Sequence, residues 1–211
     1  MLYNDVNTLF LYIKRLFITY YLKRTENQMY EDVVLEARDI VLKKGVFEDW
    51  KDLLENIWRH EESARYMLWS PTYTEDDAKD RMQRTLNYEQ QHKYGLIIYE
   101  KKSMKAIGFA GMIEIEPGVY DETGLALGPA FVGKGYGKQA LMALVTEAFV
   151  NCNATKFLAS NRSQNIASKK LQMSVGFVYD HSEDKIDPRN NEPYAIECNV
   201  MTREVFETRY K

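Results

Sequence analysis

Glycines 133, 135 and 137 fall within five residues, Gly133-Lys134-Gly135-Tyr136-Gly137, and Lys138 follows directly. Glycine admits φ > 0, so successive amides can turn into one concavity, and the two lysines add positive charge beside it. A helix starting at this point would contribute unbonded N–H groups and the positive end of its dipole. The chemistry is anion binding, and phosphate is the natural ligand. Two phosphate signatures fit poorly. A GxxxxGK loop can be read from Gly128 to Lys134, but its eighth position is Gly135, which leaves magnesium without a hydroxyl ligand. A GxGxxA reading over Gly135, Gly137 and Ala140 calls for a carboxylate about 20 residues on, where Ala159-Ser160-Asn161 offers none. A ligand-free strand-to-helix turn is the plainer alternative; three glycines flanked by lysines favour a ligand.

Such a turn needs a strand before it and a helix behind it. Hydrophobic spacing predicts a strand at 122–128, a helix at 138–151, a strand at 155–160, a helix at 164–175 closed by Gly176, and a strand from 177. Upstream it predicts a strand at 39–43 and a helix with Trp50, Leu53, Leu54 and Ile57 on one side. A second helix follows Pro71, with Thr74 as N-cap and Glu75, Asp76 and Asp77 in its first turn. Strands at 94–100 and 105–116 come next, with turns at 101–105 and 117–121. Gly108 and Gly111 within the longer strand predict a bulge. A strand at 196–201 and a short helix capped by Thr202 end the chain. The whole predicts a mixed α/β fold of α+β character, meandering strands before a βαβαβ half, over residues 35–211, with 1–34 as a helical extension and linker.

Composition bounds the function. The chain has 211 residues, 45% hydrophobic and 28% charged, which suits a folded core and excludes a disordered chain. Its 28 basic and 31 acidic residues leave a net charge of −3, which argues against a general nucleic-acid binder. Cys152 and Cys198, far apart and outside any CxxC pair, exclude a disulfide framework and a thiolate zinc site and fit a reducing, cytoplasmic setting. His60, His92 and His181 show no metal-ligand or triad spacing, so no metal is expected. The most apolar run, residues 9–22, is interrupted by Lys14 and Arg15 and is too short to span a bilayer. Neither a charged leader nor a small-x-small cleavage site accompanies it, which argues against export.

Residues 1–22 carry Leu2, Val6, Leu9, Phe10, Ile13, Leu16, Phe17, Tyr20 and Tyr21 at three- and four-residue steps, which predicts an amphipathic helix. Over residues 1–24, Lys14, Arg15, Lys23 and Arg24 stand against Asp5 alone. A basic amphipathic helix can lie on a membrane surface. Packing on protein is favoured here, because burying each large apolar side chain is worth about 1.5–3 kcal/mol. The expectation is a homodimer across a two-fold axis, ahead of docking on the chain's own domain. Light scattering on the full chain and on a chain starting at Met29 checks it. A dimer that becomes a monomer on truncation is expected; a full-length monomer that binds anionic vesicles would refute docking on protein.

The stretch from 122 to 177 resembles the GNAT acyltransferase superfamily, most of all the branch of ribosomal-protein N-terminal acetyltransferases (RimJ/RimL-like) and related small-amine acetyltransferases. The resemblance rests on Glu122-Thr123-Gly124-Leu125, Pro129, the turn 133–137, Asn165-Ile166-Ala167-Ser168 and Gly176-Phe177. A fainter likeness covers residues 38–205, including Arg65-Tyr66-Met67 and the helix start after Pro71. Two positions depart from the pattern: Val132 opens the pyrophosphate motif, and Gln172 stands where many members carry an acid tyrosine. The resemblance implies a central, mostly antiparallel sheet with a splayed parallel pair, flanked by helices. It also implies acetyl-CoA as co-substrate, no metal, and a primary amine as acceptor, a small molecule or a protein N-terminus.

What the resemblance implies for residues is specific. The pyrophosphate would lie on Val132, Gly133, Lys134, Gly135, Tyr136, Gly137 and Lys138. The pantetheine arm would run along Leu125, Ala126 and Leu127, with the Leu127 N–H near the thioester carbonyl. Asn165 would bond that arm, and Lys169 would approach the nucleotide phosphates. Glu122 would be the general base, directly or through water, with Glu114 as second choice, and Ser168 would protonate the leaving thiolate. Trp69 either lines an acceptor pocket or simply packs. Two other classes remain at this stage: a non-catalytic acyl-CoA-binding module, which needs the glycine turn but neither Glu122 nor Ser168, and an interaction protein acting through its N-terminal helix.

Overall fold

The structure is a computed structural model that describes residues 33–211; the helix expected over residues 1–22, with its docking, and the linker after it lie outside the described residues. β1 (Val34–Glu36) and β2 (Ile40–Lys43) form the first hairpin. Periodicity does not predict β1, because only Leu35 of its three residues turns inward. A 3₁₀ turn (Phe47–Asp49) leads into α1 (Trp50–Leu53), which continues as a π-helical turn (Leu54–Trp58). Trp50, Leu53, Leu54 and Ile57 are all buried, as their spacing predicts. α2 is Glu61–Ala64 and α3 is Glu75–Gln91. Thr74 caps α3 as expected, its Oγ1 accepting the Asp77 N–H at 3.2 Å.

β3 (Tyr94–Glu100), β4 (Ala106–Glu116) and β5 (Val119–Leu127) form a meander. The turn between β4 and β5 is Pro117-Gly118, shorter than the expected 117–121, because Gly118 takes φ 75° and reverses the chain in two residues. After a 3₁₀ turn (Pro129–Phe131), α4 (Tyr136–Thr146) runs into a π-helical turn (Glu147–Asn151). Then come β6 (Lys156–Arg162), α5 (Ile166–Val175), β7 (Val178–Ile186), β8 (Pro193–Thr202) and α6 (Arg203–Tyr210). α5 begins two residues later than predicted, because the Asn165 side chain accepts the Ser168 N–H and fixes the cap there.

One eight-stranded sheet runs β1-β2-β3-β4-β5-β6-β8-β7, antiparallel except for the β5–β6 pair. This is the expected mixed α/β architecture. Each face carries its own core. Leu96 and Ile98 of β3 pack in the cluster that holds Leu141 and Leu144 of α4, while Ile97 and Tyr99 pack with Leu53, Ile57 and Met82 from α1 and α3. Burial on both faces explains why β3 reads as a continuous apolar run rather than an alternation. The predicted β4 bulge falls beside Gly108: the β4 partners of β3 step from Gly108 to Ala106, leaving Ile107 as the extra residue, while opposite Gly111 it is β5 that carries the extra residue, Thr123. Among the described residues no helix is long and apolar enough to cross a membrane.

Candidate active site

The parallel pair defines the site. β5 and β6 pair only at Val119↔Lys156, Tyr120↔Phe157 and Asp121↔Leu158, and then diverge. Glu122 is the first β5 residue beyond that pairing, so it stands in the crotch of a V. The Gly128 N–H donates to Ile107 O at 2.9 Å. Antiparallel alternation therefore turns the backbone groups of Leu127 and Leu125 away from β4, toward the opening. The gap between the diverging strands is part of a groove of about 760 Å³, lined by Glu122, Leu125, Ala126, Leu127, Val132, Gly133, Gly135, Gly137, Lys138, Asn165 and Ser168 among others.

At the groove's mouth the glycine turn has the predicted conformation. Gly133 and Gly135 both take φ 81°, and a Cβ built on either meets nothing within 4 Å, so the concavity is open. Gly135 is the N-cap of α4, and the first helical bond runs from the Gln139 N–H to Gly135 O at 3.1 Å. The amides of Tyr136, Gly137 and Lys138 are left without a helical acceptor. Three of the predicted cofactor residues, Lys134, Tyr136 and Lys169, do not line the groove. Lys134 lies over the Phe131 ring at 4.9 Å, and the Tyr136 hydroxyl donates to Glu100 at 2.8 Å on the far side of the turn. Lys169 donates to Glu197 at 2.8 Å and forms an ion pair with it.

Glu122 is half-buried, and its carboxyl is pushed up to about 7 by desolvation and by the neighbouring Asp121 charge, against a Gly124 N–H that favours the ionised form. Glu114, the second choice, accepts the Gly118 N–H at 2.8 Å in the β4–β5 hairpin and is exposed there, outside the groove. Ser168 sits on the first turn of α5, facing the groove. Its Oγ accepts from Gln172 Nε2 at 3.2 Å, which leaves its own proton free to point outward. Gln172 is 1% exposed; it also donates to Ser160 O at 3.2 Å and accepts from Asn199 Nδ2 at 2.7 Å. Asn199, equally buried, donates in turn to Asn161 Oδ1 at 3.1 Å. A chain of buried amides thus fixes the serine from behind. Gln172→Leu is expected to lower unfolding stability by about 1–3 kcal/mol, since it orphans groups inside this chain. Thermal unfolding checks this, and an unchanged Tm would show that the amides are not coupled.

Asn165 spends Oδ1 on the α5 cap, so only its Nδ2 group is available to a ligand. Sequence reasoning missed the groove's other wall. Arg162, at the end of β6, lies over the Tyr194 ring at 3.8 Å and pairs with Asp187 at 2.6 Å; its Nε is buried without an acceptor. Arg189 and Arg162 together hold the Asp187 carboxyl well below the usual carboxylate range. Arg189 also donates to Ala64 O and Trp69 O, both at 3.3 Å, tying the β7–β8 connection to the segment after α2. No local motif marks these residues; only the β7–β8 hairpin's return beside β6 brings them in. A second space of about 490 Å³ meets the groove at Trp69, Phe109, Thr123 and Gly124. Trp69 therefore does line a pocket, besides contacting Phe109 with ring centroids 6.4 Å apart. Away from both spaces, β7–β8 pairing brings ligand atoms of His181, Glu183 and Cys198 within 4.8 Å of one another, a grouping that their linear spacing hides.

Comparison with known proteins gives a consistent result. The family described as "Acetyltransferase (GNAT) domain" matches residues 39–178. The uncharacterized N-acetyltransferase p20 of Bacillus licheniformis is 31% identical over 148 residues, covering 68% of this chain and 81% of that protein. Among solved structures, a GNAT-family acetyltransferase from Bacillus anthracis superposes with a TM-score of 0.70 at 17% identity, covering 82% of this chain and 99% of the other. RimL, a ribosomal L7/L12 alpha-N-protein acetyltransferase in complex with coenzyme A, gives a TM-score of 0.67 at 16% identity, over 81% of this chain and 98% of RimL. At these identities the structural likenesses speak to the fold.

Proposed function

The chain belongs to the GNAT acetyltransferase family and is an N-acetyltransferase; from that premise we propose that it moves an acetyl group from acetyl-CoA to a primary amine by direct attack on the thioester. The observation that carries the reading is the divergence of β5 from β6 immediately after Asp121↔Leu158, which opens unpaired strand backbone toward a groove ending at the glycine turn. That shape suits a ligand with an anionic end and a long amide-bearing arm. The residues fit: the Gly133 and Gly135 positions are open, three helix amides are free of helical acceptors, and Leu125 and Leu127 can bond an added strand. The RimL complex with coenzyme A supports the same cofactor. A reducing cytoplasmic setting suits the two free thiols, Cys152 and Cys198.

The thioester supplies an activated acyl carbon; the chain must supply a neutral amine, a held carbonyl oxygen and a proton for the leaving sulfur. An ammonium of lysine type has a pKa of about 10.4 and an α-amine about 8, so either benefits from a base. Glu122, with its carboxyl near 7, accepts that proton directly or through water. The Leu127 N–H faces the opening and stabilises negative charge developing on the carbonyl oxygen. Ser168 holds its proton toward the groove and gives it to the sulfur; Gln172 fixes that orientation from behind. Gln172 therefore does not replace the tyrosine's acid chemistry but positions the serine. Incubating the full chain with acetyl-CoA and an amine library while detecting free CoA thiol tests the function. Turnover with at least one amine is expected. Tight acetyl-CoA binding without turnover of any amine would instead favour the non-catalytic acyl-CoA-binding module.

A further inference from the structure

The space beyond the junction has a character of its own. Its floor is a row of three glycines on neighbouring strands, Gly95↔Gly111↔Gly124; a Cβ on Gly111 would meet Thr123 Oγ1 at 2.5 Å and Tyr94 O at 2.8 Å, so the middle of the row admits only glycine. A Cβ on Gly95 would come within 2.9 Å of the Tyr88 ring, and one on Gly124 would face Met67 at 3.6 Å. α3 roofs the row, and Trp58, Trp69 and Phe109 wall it. About 490 Å³ is the size of a small-molecule site.

The polar groups there are mostly donors. The Arg81 guanidinium is clamped between two indoles, 4.3 Å from the Trp69 ring and 4.7 Å from the Trp58 ring. It donates to Thr72 Oγ1 at 3.1 Å and to Ser70 O at 3.4 Å, and among the described residues it has no carboxylate partner. Arg84, one turn on, lines the same space and makes no ion pair among the described residues. The Trp69 indole N–H is buried without an acceptor. One carboxyl opposes them. Glu89 has an unpartnered Oε1, but its Oε2 accepts the Gly45 N–H at 2.8 Å, and burial pushes its carboxyl up to about 7. The Lys44 ammonium, bonded to Glu89 O, His92 O and Gly95 O, offsets what charge remains. Two guanidiniums without a carboxylate partner among the described residues repel a cationic acceptor and attract an anionic one.

We propose that the acceptor is a small amino-carboxylate, its carboxylate held by Arg81 and Arg84 and its amine reaching the junction at Gly124, beside Glu122. The proposal rests on the acetyltransferase reading and narrows it, setting polyamines aside. In the reaction the amine nitrogen bonds the acetyl carbon, the carbon–sulfur bond breaks, one proton leaves the nitrogen for Glu122, and one reaches the sulfur from Ser168; Glu122 then releases its proton to water and Ser168 regains one from water, so the net transfer is one proton from nitrogen to sulfur. The test compares 4-aminobutyrate, 6-aminohexanoate and glutamate with butylamine and spermidine, using the full chain and free-thiol detection. At least one amino-carboxylate should exceed butylamine and spermidine at least tenfold in kcat/KM. Arg84→Gln, at an exposed position that does not threaten folding, should cut that substrate roughly tenfold or more while changing butylamine about twofold or less. Acetyl-CoA affinity by calorimetry should stay the same in the variant. Preference for spermidine or butylamine, turnover of acidic peptides alone, or acetyl-CoA binding with no amino-carboxylate turned over would overturn the acceptor assignment. Absence of acetyl-CoA binding would overturn the reading beneath it.

Discussion

Gly135→Asp is expected to lower acetyl-CoA affinity at least a hundredfold, to the point where calorimetry records no heat. Gly135 caps α4 at φ 81°, a conformation that costs an L-residue about 1–2 kcal/mol. A side chain there meets no neighbour within 4 Å, so crowding contributes nothing. The larger effect is the new carboxylate placed where phosphate oxygens should bind. Two unit charges 4 Å apart interact by about 4 kcal/mol at a surface-like dielectric, before salt screening reduces it. With each 1.4 kcal/mol worth tenfold in affinity, the backbone and charge effects together exceed two orders of magnitude. Gly135→Ala isolates the backbone contribution and should lose only about tenfold. Equal affinities for wild type and Gly135→Asp would remove the phosphates from this turn and, with them, the orientation of the whole cofactor.

Glu122→Gln should reduce kcat by roughly 10²–10⁴ while acetyl-CoA affinity stays within about twofold. The sign of the pH effect follows from the carboxyl lying near 7. A base works only when deprotonated, so wild-type turnover should rise through about pH 7. The variant lacks that limb and should rise only as the amine itself loses its proton, between about pH 8 and 10.4 depending on its type. The deficit is therefore widest between pH 7 and the amine's own pKa, and it shrinks above. Retaining the rise near pH 7 in the variant would assign that titration to another group. The half-buried Asp121, whose carboxyl is also raised by burial, is the natural next candidate.

Short-range rules made part of this legible from residues alone. Gly133 and Gly135 announce φ > 0 and free amides wherever the chain carries them, so the turn could be read without a fold, and the structure has both at 81°. Thr74 and Gly176 are cap residues whose chemistry is local, and α3 begins and α5 ends at them as read; Asn165 caps α5 by the same chemistry, though the sequence reading started that helix earlier. Continuous apolar runs and alternation indicated most of the strand and helix order; they missed the short β1 and α2, stretched the β4–β5 turn and started α5 two residues early.

Side chains that depend on distant neighbours were a different matter. The linear motif offers Lys134 and Lys169 as charge beside a phosphate; the structure sets Lys134 over the Phe131 ring, pairs Lys169 with Glu197 28 positions away and bonds the Tyr136 hydroxyl to Glu100 36 positions away, and the last two partners lie beyond any local spacing rule. Asn199 and Tyr194 come beside the β6 residues Asn161 and Arg162 only because β8 returns along β6. Sequence marked Glu122 as a carboxylate ahead of a glycine. Its place in the crotch of the V, and the burial that raises its pKa toward 7, are consequences of where β5–β6 pairing stops. Likewise Gly95, Gly111 and Gly124 are scattered along the chain and form one floor only through the register of three strands. Backbone conformation is set within a few residues, whereas burial, field and cavity are properties of the packed sheet, so the sequence alone determined the glycine turn with its positive φ and the tertiary structure decided what stands opposite it.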